Sequence, residues 1–172
     1  MRASAHTAVS APIESVWQIV SDPERALSFM SGVTRWEVAG EHPAGLGARY
    51  RMLIRVGSAE IGGLIEIVEW DPPRDLAWTS VTGIDQRGRW RLRAAPGGRT
   101  RAEIRLAYGV AGAGLAGWLA ERIARPGVGG HLQASVRQLA RLVEHERLRD
   151  QAAERRAAKA ANAANAAKGR PS

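Results

Sequence analysis

His131 and Ser135 stand one helical turn apart in a stretch whose apolar spacing reads as helix, so an imidazole and a hydroxyl share one face beside Leu132. An imidazole there has a pKa suited to general-base work. No carboxylate at helical spacing orients the ring, and a partly exposed histidine near a helix start is the competing reading. Tyr50 and Tyr108, both on strand patterns, add two phenols. Together Tyr50, Tyr108 and His131 are the candidates for catalysis. His6, His42 and His145 fall on a strand, a proline loop and a charged helical face, so no metal site is expected. The chain has no cysteine, which excludes disulfides, thiolate nucleophiles and cysteine-based zinc or iron–sulfur sites. Its two lysines, Lys159 and Lys168, lie beyond residue 150, so the body offers no Schiff-base chemistry. No cofactor is expected.

Charge says less than its size suggests. Half of the formal +8 belongs to residues 151–172, where Arg155, Arg156, Lys159, Lys168 and Arg170 face only Glu154. Arg87, Arg89, Arg91 and Arg93 recur at every second position, a row that reads either as an anion patch or as a solvated sheet face. No aromatic residues interleave on that face to stack bases, so no specific nucleic-acid partner is expected. No apolar run approaches the roughly 20 residues that span a bilayer, and Met1-Arg2-Ala3-Ser4 leads straight into a strand pattern. A cytoplasmic protein without a transmembrane segment is expected, with transient membrane contact left open. Nothing indicates an oligomeric state.

The 172 residues suffice for one domain and a tail. Residues 3–9 alternate as a half-buried strand. Ser10 and Pro12 then open a helix whose face carries Ile13, Val16, Trp17 and Val20. Asp22-Pro23-Glu24 starts a second short helix, with Leu27 and Met30 as its apolar contacts. Val33 to Ala39 reads as a strand. Residues 48–56 and 59–69 alternate around Gly57-Ser58, a two-residue turn of the primed type. One register sets Ile54 opposite Ile61, Met52 opposite Gly63 and Tyr50 opposite Ile65, with Arg55 meeting Glu60 and Arg49 meeting Glu66. A slip by one residue would drive arginines into the core. Asp71-Pro72-Pro73-Arg74-Asp75 must turn. Leu76–Val81, Gln86–Ala94 and Thr100–Tyr108 complete seven strands, the last two joined at Pro96-Gly97-Gly98 with Glu103 expected opposite Arg93. Leu115, Trp118, Leu119 and Ile123 form an apolar strip, a docked helix or a lid, before a break at Arg125-Pro126-Gly127. A final helix from Val128 to Glu146 carries the stripe Leu132, Val136, Leu139 and Val143.

A strand, two short helices, six strands and a long helix resemble the START-like (SRPBCC) superfamily, which includes polyketide cyclase/dehydrases and lipid-transfer proteins. The resemblance rests on Val9-Ser10-Ala11-Pro12-Ile13-Glu14-Ser15-Val16-Trp17, on the proline-pair hairpin from Glu66 to Trp78, on Ala95-Pro96-Gly97-Gly98-Arg99-Thr100, and on Gly114–Leu119 through Ser135–Leu139. It covers about residues 1–147 and implies an α+β helix-grip fold, a seven-stranded curved antiparallel sheet wrapped around a long carboxy-terminal helix. Residues 1–150 are then the START-like domain, and 151–172 a basic, alanine-rich tail, disordered or a frayed helix.

In that fold a cavity between sheet and helix holds hydrophobic ligands. The alternation assigns its lining to Tyr50, Met52, Ile54, Ile65, Ile67, Trp90, Leu92, Ile104, Leu106 and Tyr108 from strands, with Leu132, Val136, Leu139 and Val143 from the helix. A solid core is the competing reading, since periodicity shows burial and not emptiness. The resemblance implies a carrier or binding protein for a small hydrophobic ligand such as a lipid, quinone or polyketide. It also admits a polyketide cyclase/dehydrase closing aldol bonds or removing water. Related aromatic cyclases use polar and basic groups inside the cavity, whereas here each strand arginine of clear register points outward. A third reading is an interaction module that uses the basic tail.

Overall fold

A computed structural model describes residues 1–109 and 114–168, with side chains for 1–55, 57–109 and 127–162. Its elements are β1 (Arg2–Val9), α1 (Ile13–Val20), a 3-10 turn (Pro23–Arg25), α2 (Ala26–Phe29), β2 (Val33–Val38), β3 (Arg49–Val56) and β4 (Ala59–Asp71). There follow β5 (Asp75–Ser80), β6 (Gln86–Ala95), β7 (Arg99–Tyr108) and α3 (Gly114–Lys168). The strands form one antiparallel sheet in the order β1-β7-β6-β5-β4-β3-β2. From β2 to β7 consecutive strands pair as hairpins, while β1 pairs with β7. The curled sheet grips α3, the helix-grip arrangement that the sequence implies.

The β3–β4 hairpin adopts the expected register, with Tyr50 opposite Ile65, Met52 opposite Gly63, Ile54 opposite Ile61 and Arg55 opposite Glu60. Gly57 supplies the positive φ (62°) that the turn requires. Farther along β4 the alternation breaks. The register shifts between Ile67 and Glu69, so that Ile67 faces Trp78 while Glu69 faces Ala77 and Trp70 faces Leu76. Val68 is the extra residue of this bulge. Strict alternation from Ile65 and Ile67 would aim Glu69 at the core. The bulge sends it to the solvent face, where it meets Arg89 across Ala77, and turns Trp70 inward onto Trp17, ring centroids 5.2 Å apart.

Two local expectations are corrected at the amino end. Helix α1 starts at Ile13 with Pro12 as its cap residue and no side-chain cap, so Ser10 stands too early to cap it. Its backbone is spent on α3 instead, donating N–H to Glu144 Oε1 (2.8 Å) and accepting from Arg147. Asp22 does cap the 3-10 turn, accepting from Glu24 N at 2.9 Å. The turn rotates α2 so that Ala26, Phe29 and Met30 are buried while Leu27 is exposed.

On α3 the buried positions are Val128, Leu132, Ser135, Val136, Leu139, Ala140 and Val143, one continuous helical face laid mainly on β1. The helix is longer than Val128–Glu146 at both ends and continues through Arg125-Pro126-Gly127, where a break was expected. A proline has no N–H to give the ladder and crowds the carbonyl four residues earlier, which is why a break was expected there. The strip Leu115, Trp118, Leu119 and Ile123 lies outside the residues whose side chains are described. Among the described residues no helix is long and apolar enough to cross a membrane.

The solvent face of the sheet is a ladder of opposite charges. The β6–β7 turn closes on Ala95 opposite Arg99, which puts Glu103 opposite Arg91 and leaves Arg93 facing Arg101, two positions from the expected pairing. Arg93 turns to the other side. It and Arg91 both donate to Asp75, at 2.7 and 3.2 Å. Burial would raise the Asp75 carboxyl, but the hydrogen bonds and charges of Arg93 and Arg91 outweigh it and hold the group below the ordinary aspartate value. In the unfolded chain that value is about 3.9. Above it both states are ionised and the stabilisation is fully present. As pH falls the unfolded chain takes up its proton first, and the contribution drains away until the lowered folded pKa is passed. Asp75→Asn should therefore lower stability by about 1–2 kcal/mol at neutral pH, discounted because both arginines are partly solvated. Urea titrations of the variant should also show a flatter loss of stability below pH 4 than the native chain. An unchanged acid limb would deny Asp75 this role.

Candidate functional site

Four of the six tryptophans converge on one small cavity beneath α1, the 3-10 turn and α2. Trp36 comes from β2, Trp70 and Trp78 from β4 and β5, and Trp90 from β6, with Tyr50, Ile67 and Leu76 between them. Val20, Met30 and the segment Ser21–Pro23 close the other side. The walls are held by ring contacts. Trp36 stacks on Tyr50 with centroids 5.1 Å apart and planes at 26°, and Phe29 meets Trp90 edge-on at 5.9 Å. Trp78 packs against Gly88, where a Cβ would stand 1.9 Å from Cζ2 of the indole. That strand glycine makes room for the ring.

The free space measures about 20 Å³, enough for one water-sized group. Its polar inventory is short. The Tyr50 hydroxyl donates to Pro43 O (2.8 Å), which ties the loop before β3 to the wall, and burial raises the phenol's pKa. It therefore stays protonated at neutral pH and its proton is already committed. Ser21 Oγ donates to Trp17 O at 2.7 Å. Asp22, at the rim, is the cavity's one charged side chain among the described residues. The indole nitrogens of Trp36 and Trp78 are buried and find no hydrogen-bond partner among the described residues.

Of the residues expected to line a cavity, Tyr50, Ile67 and Trp90 line this one. Met52, Ile65, Leu92, Ile104, Leu106, Leu132, Val136, Leu139 and Val143 sit in the continuous hydrophobic core below it. Ile54 and Tyr108 are only partly buried, near opposite ends of the sheet. His131 does not reach the cavity. Its ring packs on Gly32, with Nδ1 3.3 Å from Ser31 Oγ, while Ser135 Oγ accepts from Ser31 N and donates to His131 O, each at 2.8 Å. This group fastens the α2–β2 turn to α3. Tyr50, Tyr108 and His131 are thus placed at three separate locations and do not form a catalytic cluster. Reading along single strands missed Trp36, Trp70 and Trp78. The signal that could have found Trp78 is Gly88, an inward strand position without a side chain.

A larger depression, about 810 Å³, lies on the opposite, solvent face of the sheet around Arg2, Arg87, Arg89, Arg105, Glu69 and Glu103. It is wide and open, and Arg89–Glu69 and Arg105–Glu103 already satisfy each other there. Size alone does not make it the site, because it lacks the enclosure that the small cavity has.

The family described as polyketide cyclase/dehydrase and lipid transport matches residues 1–144. The chain belongs to that family. Solved structures agree with this membership of the polyketide cyclase/dehydrase and lipid-transport family at the level of fold. The protein TTHA0849 from Thermus thermophilus is 21% identical with a TM-score of 0.73, over 85% of this chain and 99% of that one. The Zhui aromatase/cyclase from Streptomyces sp. R1128 is 18% identical with a TM-score of 0.70, over 84% and 93%. A START superfamily protein from Mycobacterium smegmatis is 14% identical with a TM-score of 0.63, over 84% and 97%. No curated protein matches the chain. Such distant likenesses carry the shared scaffold and assign no residue a role.

Proposed function

We propose that the protein binds a small, flat hydrophobic molecule at the tryptophan-walled cavity and serves as its carrier. The observation that supports this reading is the wall itself: four indoles and a phenol from neighbouring strands face a gap that they do not fill. Aromatic side chains of a purely structural core close on one another, whereas these leave a gap between them. The cavity is small because α2 and the 3-10 turn rest on it. A ligand larger than one water-sized group enters by displacing that cover, whose residues Leu27 and Glu24 are already solvated.

The cyclase/dehydrase reading draws less support. Tyr50, the phenol on the wall, has its proton engaged by Pro43 O, and His131 lies on the Ser31–Gly32 turn. Nile red, an uncharged apolar fluorophore, should bind the native protein with a blue-shifted emission. Its affinity should change less than about twofold between about 0.05 and 0.5 M salt, since apolar burial and not charge supplies the free energy. Failure of the native chain to take up the dye, or uptake abolished by salt, would remove the carrier assignment.

A further inference from the structure

We propose that the solvent face of α3, from Arg137 to Lys159, is a docking surface for an anionic lipid bilayer. The observation behind it is a segregation of charge along one helix. Arg137, Arg141, Arg149, Arg155, Arg156 and Lys159 are all exposed, and at 3.6 residues per turn they fall within an arc of about 120°. None of the six forms an ion pair among the described residues. The acids take other positions. Glu146, Asp150 and Glu154 continue the line of Leu139 and Val143, the face buried against the sheet, and Glu146 is engaged by Arg25. Glu144, just outside the arc, accepts from Ser10 N. Val143 is the last buried residue of α3 among those described, so the second half of the stripe runs past the packed core, where the fold makes no use of its cations.

Shape and apolar content choose the partner. From Arg137 to Lys159 the stripe runs about 33 Å along the helix, so a flat anionic surface meets all six cations at once, whereas a duplex lying across the helix curves away after a few. A helix seated in a duplex groove has phosphates on both flanks. Here the flanks carry Glu144 and Gln151 on one side and Ala153 and Ala160 on the other, and no cation. Leu148, 66% exposed, stands inside the arc with Ala152 beside it. An apolar side chain among cations gains from the boundary between headgroups and acyl chains and gains nothing from phosphates alone. Attraction to anionic headgroups is worth roughly fivefold in affinity for each lysine or arginine near the surface. One large apolar residue does not embed a helix, so the contact is shallow, reversible and sensitive to salt.

Co-sedimentation of the full-length protein with lipid vesicles tests this. At about 0.05 M salt, phosphatidylcholine vesicles containing about 30% phosphatidylserine should hold the protein at least about tenfold more tightly than phosphatidylcholine alone, and about 0.5 M salt should release it. Arg149→Glu/Arg156→Glu, checked for a native-like melt, should weaken that binding at least about tenfold. Arg87→Glu/Arg101→Glu removes the same charge from exposed positions on the solvent face of the sheet and should stay within about threefold. Leu148→Ala should weaken vesicle binding about threefold, a loss that contact with phosphates alone does not produce. A DNA duplex of about 20 base pairs, added at a phosphate concentration equal to that of the phosphatidylserine, should leave the protein on the vesicles. Equal binding to the two kinds of vesicle overturns the proposal, and this comparison in the unaltered protein stands even if a variant does not fold. Equal losses in the two charge-reversed variants, or no loss with Leu148→Ala, overturn it as well. A duplex that strips the protein from the vesicles assigns the stripe to nucleic acid instead. Nile red uptake is read without vesicles, so each of these failures leaves the carrier reading in place.

Discussion

Replacing Gly88 by alanine should destabilise the protein by about 3 kcal/mol, at the upper end of the range for one inserted methyl. On backbone grounds alone the change is favourable, because Gly88 lies in a strand without positive φ and alanine restricts the unfolded chain. Steric contact reverses the sign. The new Cβ would lie 1.9 Å from Cζ2 and 2.1 Å from Cε2 of Trp78, a side chain 2% exposed and opposed by Ile67 on the next strand. It cannot swing into solvent, so it must either move toward the cavity or push β5 off β6. Urea midpoints measure the loss, and Nile red uptake should fall with it because the displaced indole occupies the gap. A variant as stable as the native chain would mean that Trp78 shifts freely, and the wall would then be softer than its packing indicates.

Leu139→Ala should cost about 2–5 kcal/mol, the range for deleting a buried leucine side chain where the surroundings cannot collapse. Leu139 is completely buried, on the face that α3 lays against the sheet, flanked by Val136 and Val143. It lies in the filled core and not on the wall of the small cavity, so its truncation opens a void without touching the proposed ligand. Nile red affinity, measured where the variant is folded, should stay within about twofold. Leu148→Ala is the matched control. Leu148 is 66% exposed on the same helix, and its loss should fall within about 0.5 kcal/mol. Equal effects at the two positions would show that α3 is not gripped by the sheet as described.

These two sites also mark how far the residues alone could be read. The Leu132–Val136–Leu139–Val143 stripe and the Tyr50–Ile65 register are local facts. A helix repeats every 3.6 residues and a strand every two, so the buried face of each element is written in its own spacing, and the Gly57-Ser58 turn locks two such strands together. The succession of these elements carries the resemblance that implies the helix-grip order. Cavity placement is of another kind. Trp36, Trp70, Trp78 and Trp90 come from four strands, and no periodicity within one strand says that they meet.

Tertiary structure decided the rest through small breaks in regularity. The Val68 bulge reverses the inside and outside of β4, taking Glu69 out to Arg89 and bringing Trp70 in, because the backbone trades one ladder pairing for not burying a carboxylate. The closure of the β6–β7 turn on Ala95 and Arg99 moved Glu103 from Arg93 to Arg91 and sent Arg93 to Asp75. His131 lies on a helical face that the sequence does specify, yet what that face meets, Gly32 and Ser31 from about 100 residues earlier, depends on where the sheet places the α2–β2 turn. Spacing determines which side of an element is apolar. Which apolar sides meet, and whether a gap remains between them, is settled only when every strand's twist and register are imposed at once.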